Sequence, residues 1–360
     1  KDAGKVLVLY GDVPLIKQNT IEGLIKASGD GLSILTTELD DPHGYGRVKK
    51  DPKGYATGII EEKDASDEEK EIKEVFTGIL CASTNILKDS LTEINNDNAA
   101  GEFYLTDIVS IMNTKGIKIN TCLASNNEVK GANSKKELAQ LEAIYRSMKV
   151  EDLLNMGITV SDPHRLDVRG DVECGKDCSI DVNVILEGNI KLGDGVSIGA
   201  NCIIKNSSIG SNSKIDAFSH IDGASISESC VIGPYARLRE GSLIENSARV
   251  GNFVETKNTV LGEGSKASHL TYLGDSEIGK ETNIGAGTIT CNYDGKDKHK
   301  TSIGDDSFIG SNSALVAPVT IGSNVTVAAG SVITKDVPDK ALGLGRAKQN
   351  NKENWSKKKD

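Results

Sequence analysis

An aliphatic residue recurs at every sixth position through the C-terminal half of the chain. The residues that keep this period are Ile180, Leu186, Leu192, Ile198 and Ile204, and then Ile303, Ile309, Leu315, Ile321, Val327 and Ile333. A period of six is typical of a three-sided coil in which each side contributes one inward aliphatic residue. Small residues suit its corners, and glycine follows many inward positions, at Gly193, Gly199, Gly210, Gly304, Gly310 and Gly322. The pattern predicts a parallel β-helix whose coils stack roughly 4.8 Å apart.

The period breaks in two ways. Steps of five follow Ile204 and Ile221, and we interpret them as slips at a corner. The larger break runs from Cys291 to Ser302 and reads CNYDGKDKHKTS. It predicts a basic loop extruded from the solenoid, and such loops often carry function because a rigid scaffold holds them in place.

The first half of the chain has a different pattern. Residues 5–10 (KVLVLY) predict a strand covered on both faces, and residues 20–27 predict a helix. Asp12 lies between them, at a strand end where ligands gather in α/β sheets. Its carboxylate can hold a divalent cation or simply order the turn, and spacing leaves both open. A Gly-rich turn at 44–47 and an apolar run at 58–61 can line a sugar or nucleotide pocket or form a plain hairpin.

Apolar residues at spacings of three and four predict a long helix between the two halves, over residues 134–156. The predicted organisation is therefore an α/β domain over residues 1–133, a linker helix within 134–158, a β-helix over 159–340 and a C-terminal tail over 341–360.

Composition narrows the classes of function. The formal charge of −10 argues against a general nucleic-acid or anionic-membrane surface, and the lysines at 357–359 are interpreted as a solvated tail. Seven cysteines without a compact framework indicate reduced thiols in a cytoplasmic protein, and we interpret Cys174 and Cys178 as structural. No apolar run reaches the ~20 residues of a membrane span, and no secretory leader opens the chain.

Several motifs together resemble one family. They are YGDVPL at 10–15, GYGR at 44–47, EEKDA at 61–65, GEFYLTD at 101–107, GNFVETK at 251–257, SKASHLTYLGD at 265–275 and NIGAGTITCNYDG at 283–295. Over its whole length the chain resembles the bacterial bifunctional enzymes that join glucosamine-1-phosphate N-acetyltransferase to N-acetylglucosamine-1-phosphate uridylyltransferase. The resemblance implies a partial Rossmann-like nucleotidyltransferase domain, a left-handed parallel β-helix of hexapeptide repeats, a homotrimer, and synthesis of UDP-N-acetylglucosamine for peptidoglycan and lipopolysaccharide precursors.

The resemblance also implies roles for residues of the coils. His269 would take the proton from the amine of glucosamine 1-phosphate, a task that suits a base titrating near neutrality. The implied sugar-phosphate contacts are Arg239, Lys257, Tyr272, Asn283 and Lys298, and the implied acetyl-CoA contacts are Ala286, Asn292, Tyr293, Ser311, Ala329 and Arg346. Asn292 would also help to orient the sugar and its amine. A backbone N–H near Ala286 would bind the oxyanion of the tetrahedral intermediate. Without the flanking motifs, His269 would be interpreted as an ordinary corner residue, and each single charge as a solvated face.

In the first domain the resemblance implies a site for UTP, N-acetylglucosamine 1-phosphate and their product. Its members are Tyr10, Gly11, Asp12, Gly46, Glu61 and Asn133, with Asp12 and Asn133 sharing a magnesium ion. The sequence departs from the family in two places. The family opens with a Gly-rich loop and a lysine-bearing segment that residues 1–9 do not contain, and Phe76 stands where the family usually has asparagine. We therefore expect a chain lacking most of its nucleotide half-site, which argues against uridylyl transfer by this chain alone.

Three other functions compete with this interpretation. A β-helix carbonic anhydrase needs three zinc-binding histidines, but His220, His269 and His299 each stand in a different setting. An ice-binding or purely structural solenoid would carry regular Thr or Ser rows without an extruded basic loop. The remaining alternative is a nucleotidyltransferase whose β-helix is regulatory or structural.

Overall fold

The computed structural model describes residues 4–98, 100–353 and 355 of the chain. The chain forms two compact units, Lys1–Tyr145 and Arg146–Asp360. The domain boundaries predicted from the sequence stay predictions.

The first unit is an α/β fold. Its elements are β1 (Lys5–Val8), α1 (Gln18–Ser28), β2 (Leu32–Glu38), β3 (Arg47–Lys50), β4 (Ala56–Ile60), α2 (Asp67–Lys70), β5 (Glu74–Ser83), α3 (Thr84–Leu91), α4 (Asp107–Thr114), β6 (Ile119–Leu123) and α5 (Asn126–Val129). The strands form one mixed sheet in the order β4-β3-β5-β2-β6, with β1 antiparallel to β5 and β2 parallel to β6.

Both faces of this sheet are covered. One face buries Leu32 and Ile34 with Met112 of α4, and the other buries Leu35 with Leu24 of α1. The apolar residues of β1 are divided between the same two clusters, as the sequence predicted, but they are only half-buried. Phe76 is half-buried against the first cluster, and its N–H donates to the Gly46 carbonyl at 2.9 Å.

A long helix, α6 (Lys135–Asn155), leads into the second unit. The strands there are β7 (Thr159–Val160), β8 (Leu166–Cys174), β9 (Ser179–Ile180), β10 (Val184–Leu192), β11 (Ser197–Ile198), β12 (Ile203–Lys205), β13 (Ser208–Ile209), β14 (Lys214–Ile215), β15 (His220–Asp222), β16 (Ser225–Ile226), β17 (Val231–Ile232), β18 (Arg237–Leu238), β19 (Leu243–Ile244), β20 (Arg249–Asn252), β21 (Glu255–Leu261), β22 (Lys266–His269), β23 (Tyr272–Ile278), β24 (Asn283–Ile284), β25 (Ile289–Cys291), β26 (Thr301–Ile303), β27 (Phe308–Ile309), β28 (Ala314–Val316), β29 (Val319–Ile321), β30 (Thr326–Val327), β31 (Val332–Ile333) and β32 (Leu342–Gly343). A short 3-10 helix covers Pro163–Arg165.

These strands build the predicted parallel β-helix, and its inward residues form three columns. Side A carries Leu186, Ile204, Ile221, Leu238, Thr256, Leu273, Thr290, Leu315 and Ile333. Side B carries Leu192, Ile209, Ile226, Ile244, Leu261, Ile278, Ile303 and Ile321. Side C carries Ile180, Ile198, Ile215, Ile232, Val250, Ala267, Ile284, Ile309 and Val327. All the aliphatic residues predicted to point inward are buried.

Most coils bring together residues 17 or 18 apart, and the steps of five give the shorter length. The step after Ile204 falls at the corner between sides A and B, where Asn206 has a positive φ of 41°. One coil is longer, as shown by the Lys280 N–H, which donates to Asp305 Oδ1 on the next coil, 25 residues ahead. The extra residues form the predicted excursion, which lies between β25 and β26 and is here called the basic loop, residues 292–300.

Candidate active site on the β-helix

A column of residues follows the corner between sides C and A. Its members on successive coils are Asn252, His269, Ala286, Ser311 and Ala329, here called the corner column. The coils are tied by backbone bonds in which Asn312 N–H donates to the Ala286 carbonyl at 2.7 Å and Gly330 N–H to the Ser311 carbonyl at 2.8 Å. Above His269 the side chains are small, so the corner leaves room for an extended ligand along the coils.

His269 is exposed, and among the described residues one side chain, that of Asn252, holds its ring. Its Nδ1 lies 2.6 Å from Oδ1 of Asn252, one coil below. An amide oxygen only accepts hydrogen bonds, so this contact keeps the imidazole hydrogen on Nδ1. Nε2 is then left with its lone pair, which is the form a general base requires.

Ala286 lies one coil above His269. Within the described residues, no backbone or side-chain acceptor takes a hydrogen bond from the Ala286 N–H. Gly287 follows with a positive φ of 77°. A free N–H one coil from a base is a donor available to a developing oxyanion.

A column of outward-facing charged residues runs along side A, and the alternation of their charges ends at the candidate site. From the base upward it contains Arg169, Glu187, Lys205, Asp222, Arg239, Lys257 and then Gly274. The lower charges alternate in sign, and Lys205 and Glu187 form an ion pair of 3.0 Å. Arg239 and Lys257 break the alternation, because they place two positive charges on adjacent coils.

A third cation reaches this pair from the basic loop. Lys298 lies within hydrogen-bonding reach of Lys257 and lowers its pKa, an effect to which burial and the charge of Arg239 add. Arg239 itself pairs with Glu255 at 2.8 Å. Cations crowded in this way favour a bound anion, since an anion relieves their repulsion.

Tyr272 lies between His269 and these cations. Its ring covers Gly274, where an added Cβ would stand 2.4 Å from the tyrosine oxygen. Any side chain at position 274 would therefore displace the tyrosine ring. Tyr272 and the three cations are thus on or above side A, while His269 is at the edge of that side.

The other residues implied for this site lie farther along the coil. Asn283 precedes the inward Ile284 and so lies on side C, around the corner from the cations. Asn292 begins the basic loop, and the exposed Tyr293 donates from its hydroxyl to the Gly295 carbonyl at 2.7 Å. The exposed Arg346 donates to the Ala329 carbonyl at 2.9 Å, at the top of the corner column. One chain therefore brings together most but not all of the predicted set.

The basic loop is a tight hairpin. Tyr293 and Lys298 form an antiparallel bridge, and Asp294 accepts from the Lys296 and Asp297 N–H groups and from His299 Nε2 at 2.7 to 2.8 Å. The hydrogen bond from His299, followed by those from the two N–H groups, lowers the pKa of Asp294 strongly.

In the first unit, the predicted residues form two groups. The Tyr10 ring covers Gly78, and the carboxylate of Asp12 lies 3.0 Å from where a Cβ on Gly131 would stand. The Asp12 carbonyl accepts from Ala132 N–H at 3.1 Å, which brings the segment containing Asn133 beside it. Gly11, next to Asp12, is exposed.

The second group of the first unit surrounds Gly46. The Glu61 carboxylate lies 3.4 Å from where a Cβ on Gly46 would stand, and Glu61 accepts from Thr106 Oγ1 at 3.1 Å. The absence of a side chain on Gly46 therefore leaves the carboxylate open on that side.

The Asp12 group fits a magnesium ion only in part. Within residues 4–98, 100–353 and 355, no cluster of three or more His, Cys, Asp or Glu has the arrangement of a metal cage. Asp12 and Asn133 supply hard oxygen donors, and Mg²⁺ commonly takes one or two such ligands and completes its shell with water and substrate phosphates.

Sequence reasoning missed the second layer of the site. It did not find Asn252 beneath His269, or Asp275, which joins Asn258 to Asn292. The coil length was the available signal. A residue 17 positions before His269 lies directly below it, and that position is Asn252.

Comparison with known proteins agrees with this architecture. A family model described as the hexapeptide repeat of succinyl-transferase matches residues 189–222 and 300–335. The bifunctional protein GlmU of Acinetobacter baumannii is 51% identical over 358 residues, which cover 98% of this chain and 78% of that protein. The chain belongs to the GlmU family of bifunctional proteins.

Membership in the GlmU family extends over both units, because the matches span nearly the whole chain. The GlmU of Burkholderia orbicola is 52% identical over 355 residues, again 98% of this chain and 78% of the relative. A solved structure of UDP-N-acetylglucosamine acyltransferase from Francisella novicida aligns with a TM-score of 0.32 and 18% identity, covering 52% of this chain and 68% of that one. A structural similarity this low supports no conclusion about the fold or function of this chain.

Proposed function

We propose that the β-helix of this chain transfers the acetyl group of acetyl-CoA to the amine of glucosamine 1-phosphate. The observation that carries the proposal is the placement of His269, with Nε2 free, at the edge of a coil side that holds three converging cations. A base and an anion site on one face suit a substrate that has both an amine and a phosphate.

The chemistry follows from these positions. The phosphate binds Arg239, Lys257 and Lys298, and Tyr272 and Asn292 orient the sugar. As the amine nitrogen attacks the thioester carbon, His269 Nε2 takes the amine proton, and the Ala286 N–H stabilises the oxyanion. When the C–S bond breaks, the CoA thiolate leaves and the imidazolium returns the proton to it. Acetyl-CoA would lie along the corner column, with Ser311, Ala329, Tyr293 and Arg346 beside it.

A homotrimer is part of this proposal. Asn283 lies around the corner from the cations, so its implied sugar contact requires a second chain. The same corner carries an exposed aromatic stack in which the ring centroids of Phe218 and Tyr235 are 4.9 Å apart and those of Tyr235 and Phe253 are 5.3 Å apart. Exposed aromatic residues of this kind are typical of a subunit contact. Trp355, which is also exposed, is proposed to close over a neighbouring site.

For the first unit we propose a binding site for UTP and N-acetylglucosamine 1-phosphate, with Mg²⁺ held by Asp12 and Asn133. When bound, the ion would offset negative charge on the phosphates. Tyr10 and Gly11 would contact the nucleotide sugar, and Gly46 and Glu61 would contact its sugar phosphate and acetamido group. That this chain alone does not transfer uridylyl groups stays a prediction.

The expected location is the cytoplasm. All seven cysteines are free thiols, which suits a reducing compartment. None of the helices in the described part of the chain has both the length and the apolar character that a bilayer crossing needs.

Two parallel assays test the proposed acetyl transfer and the predicted lack of uridylyl transfer. Acetyl-CoA and glucosamine 1-phosphate are mixed with the chain, and release of the CoA thiol is followed with His269→Ala as the control. Thiol release that requires the sugar phosphate and falls steeply in the variant supports the proposal. Equal release by the variant, or release only without the sugar, overturns it in favour of a nucleotidyltransferase with a regulatory β-helix. UTP with N-acetylglucosamine 1-phosphate and Mg²⁺ is assayed in parallel.

A further inference from the structure

A ladder of three polar side chains lies at the corner between sides A and B. Asn258, Asp275 and Asn292 occupy this corner on three successive coils. Asn258 Nδ2 donates to Asp275 Oδ1 at 2.8 Å, and Asn292 Nδ2 donates to Asp275 Oδ2 at 2.5 Å. The carboxylate therefore joins the rigid coil below it to the first residue of the basic loop.

The middle position of this ladder faces two donors. Both neighbours present an amide NH₂ group to residue 275, and only a carboxylate offers an acceptor oxygen to each. An asparagine at 275 would accept from one neighbour with a neutral amide oxygen and turn its own NH₂ group toward the other, which would pair with it only by turning its own amide over. The Asp275 backbone has a positive φ of 47°, a conformation that aspartate tolerates better than most residues.

The ladder also borders the cation cluster. Asp275 and Asn258 line a cavity of about 380 Å³ together with Lys298. Burial raises the pKa of Asp275, but the two amide bonds and the charges of Lys298 and Lys257 outweigh it and lower the pKa overall. Asp275 therefore remains ionised beside the residues proposed to bind the substrate phosphate.

We infer that Asp275 is a positioning residue for the acetyl transfer, because it fixes the start of the basic loop and thereby sets where Asn292 and Lys298 meet the substrate. The inference rests on the proposed function. A simple counter-ion would act differently, since removing a negative charge near a phosphate site strengthens phosphate binding. The two roles thus predict opposite signs for the same substitution.

The test compares Asp275→Asn with Asp222→Asn. Asp222 stands next to Arg239 in the charge column of side A, so its substitution removes a similar charge without touching the loop. We expect D275N to raise KM for glucosamine 1-phosphate about tenfold, a loss equal to roughly 1.4 kcal/mol. D222N should leave KM unchanged or lower it. If D275N lowers KM as D222N does, Asp275 is only a counter-ion and the inference fails.

A rescue variant makes the test specific. Asn258→Asp combined with Asp275→Asn keeps composition and charge but reverses the lower half of the ladder. The new amide at position 275 then accepts from Asn292 and donates to the new carboxylate at position 258. We expect this double variant to recover KM to within about threefold of the parent, in contrast to D275N alone. A double variant as impaired as D275N would overturn the inference.

A readout without catalysis separates this inference from the proposed function. Hydrogen exchange of the amides over residues 291–300 should speed up in D275N and return to the parent rate in the double variant. If the parent does not transfer acetyl groups, the proposed function fails while this measurement still reports on the ladder. Unchanged exchange in D275N shows that the carboxylate does not hold the loop and overturns the inference.

Discussion

The Nδ1 atom of His269 lies 2.6 Å from the Oδ1 atom of Asn252, a residue that comes 17 positions earlier and one coil below. The partner is a neutral amide, so it orients the imidazole and fixes its hydrogen on Nδ1 without adding a negative charge. The imidazole is thus oriented as a base, with Nε2 free to take a proton.

This contact gives the first prediction. Asn252→Asp replaces the amide by a carboxylate, which favours the imidazolium form of His269. A protonated imidazole cannot accept the amine proton, so we expect the acid limb of the kcat/KM profile to move to higher pH. Asn252→Ala should instead lower kcat by up to about 10²-fold with little shift of that limb, because orientation is lost and no charge is gained. Identical profiles for the two variants would contradict this account of the contact.

A second prediction concerns Lys298. Lys298→Met keeps the aliphatic stem and removes the charge, so we expect KM for glucosamine 1-phosphate to rise roughly 10- to 100-fold, the loss of one charge-assisted hydrogen bond of about 1.5–3 kcal/mol. Lys300→Met is the matched control, because Lys300 belongs to the same loop but pairs with Glu277. Steady-state kinetics at fixed acetyl-CoA separates them, and equal effects would argue against a specific phosphate contact.

The lowered pKa of Lys257 gives a third prediction. Lys298, followed by burial and Arg239, lowers that pKa, so Lys257 loses its charge at a lower pH than an ordinary lysine does. Binding of glucosamine 1-phosphate should therefore weaken as pH rises into a range where free lysine is still charged. In Lys298→Met the main cause is gone, and the weakening should move to higher pH. Titration calorimetry from about pH 7 to about pH 10 checks this, and a shift to lower pH would contradict it.

Much of the fold could be predicted because one residue type repeats at one interval. The hexad period identified Ile198 and Leu315 as inward residues from the sequence alone. The interruption of the period after Cys291 identified the basic loop. Thr256 and Thr290 also point inward and are buried. The period did not identify them, because it was defined by aliphatic residues alone. The site's second layer was harder still, since Asn258 and Asp275 become neighbours only when coils stack in register.

A fourth prediction follows from the buried thiol of Cys202. Burial raises its pKa from an ordinary value of 9.0 to about 11, so the folded chain holds the neutral thiol more strongly than the unfolded chain does. A raised pKa of this kind gives stability that is fully present below pH 9 and is lost as pH rises through about 11. We expect Cys202→Ala to lose less stability than the parent over this interval. Urea unfolding of both chains near pH 9 and near pH 11 measures this loss of stability. A further measurement below pH 9 gives the stability that the chain loses when the side chain itself is removed. An equal loss between the two pH values in both chains would contradict the prediction.

The fifth prediction concerns the glycine beside Asn252. A Cβ on Gly251 would stand 2.0 Å from the carbonyl oxygen and 2.6 Å from the carbonyl carbon of Ser268, the residue before His269. Backbone cannot yield as a side chain does, so Gly251→Ala must push the next coil away and pull His269 from Asn252. We expect a loss of about 1–3 kcal/mol or more in the free energy of unfolding, together with a fall in acetyl transfer.

Gly23→Ala is the control for the same chemical change. Gly23 lies within α1, and a Cβ there would meet no atom within 4 Å, so the substitution should stabilise the first unit by about 0.5–1 kcal/mol. Thermal unfolding and thiol release are measured for both variants. A Gly251→Ala chain with parental stability and activity would mean that adjacent coils approach less closely at this corner, and the argument that coil spacing sets the contact between Asn252 and His269 would fail with it.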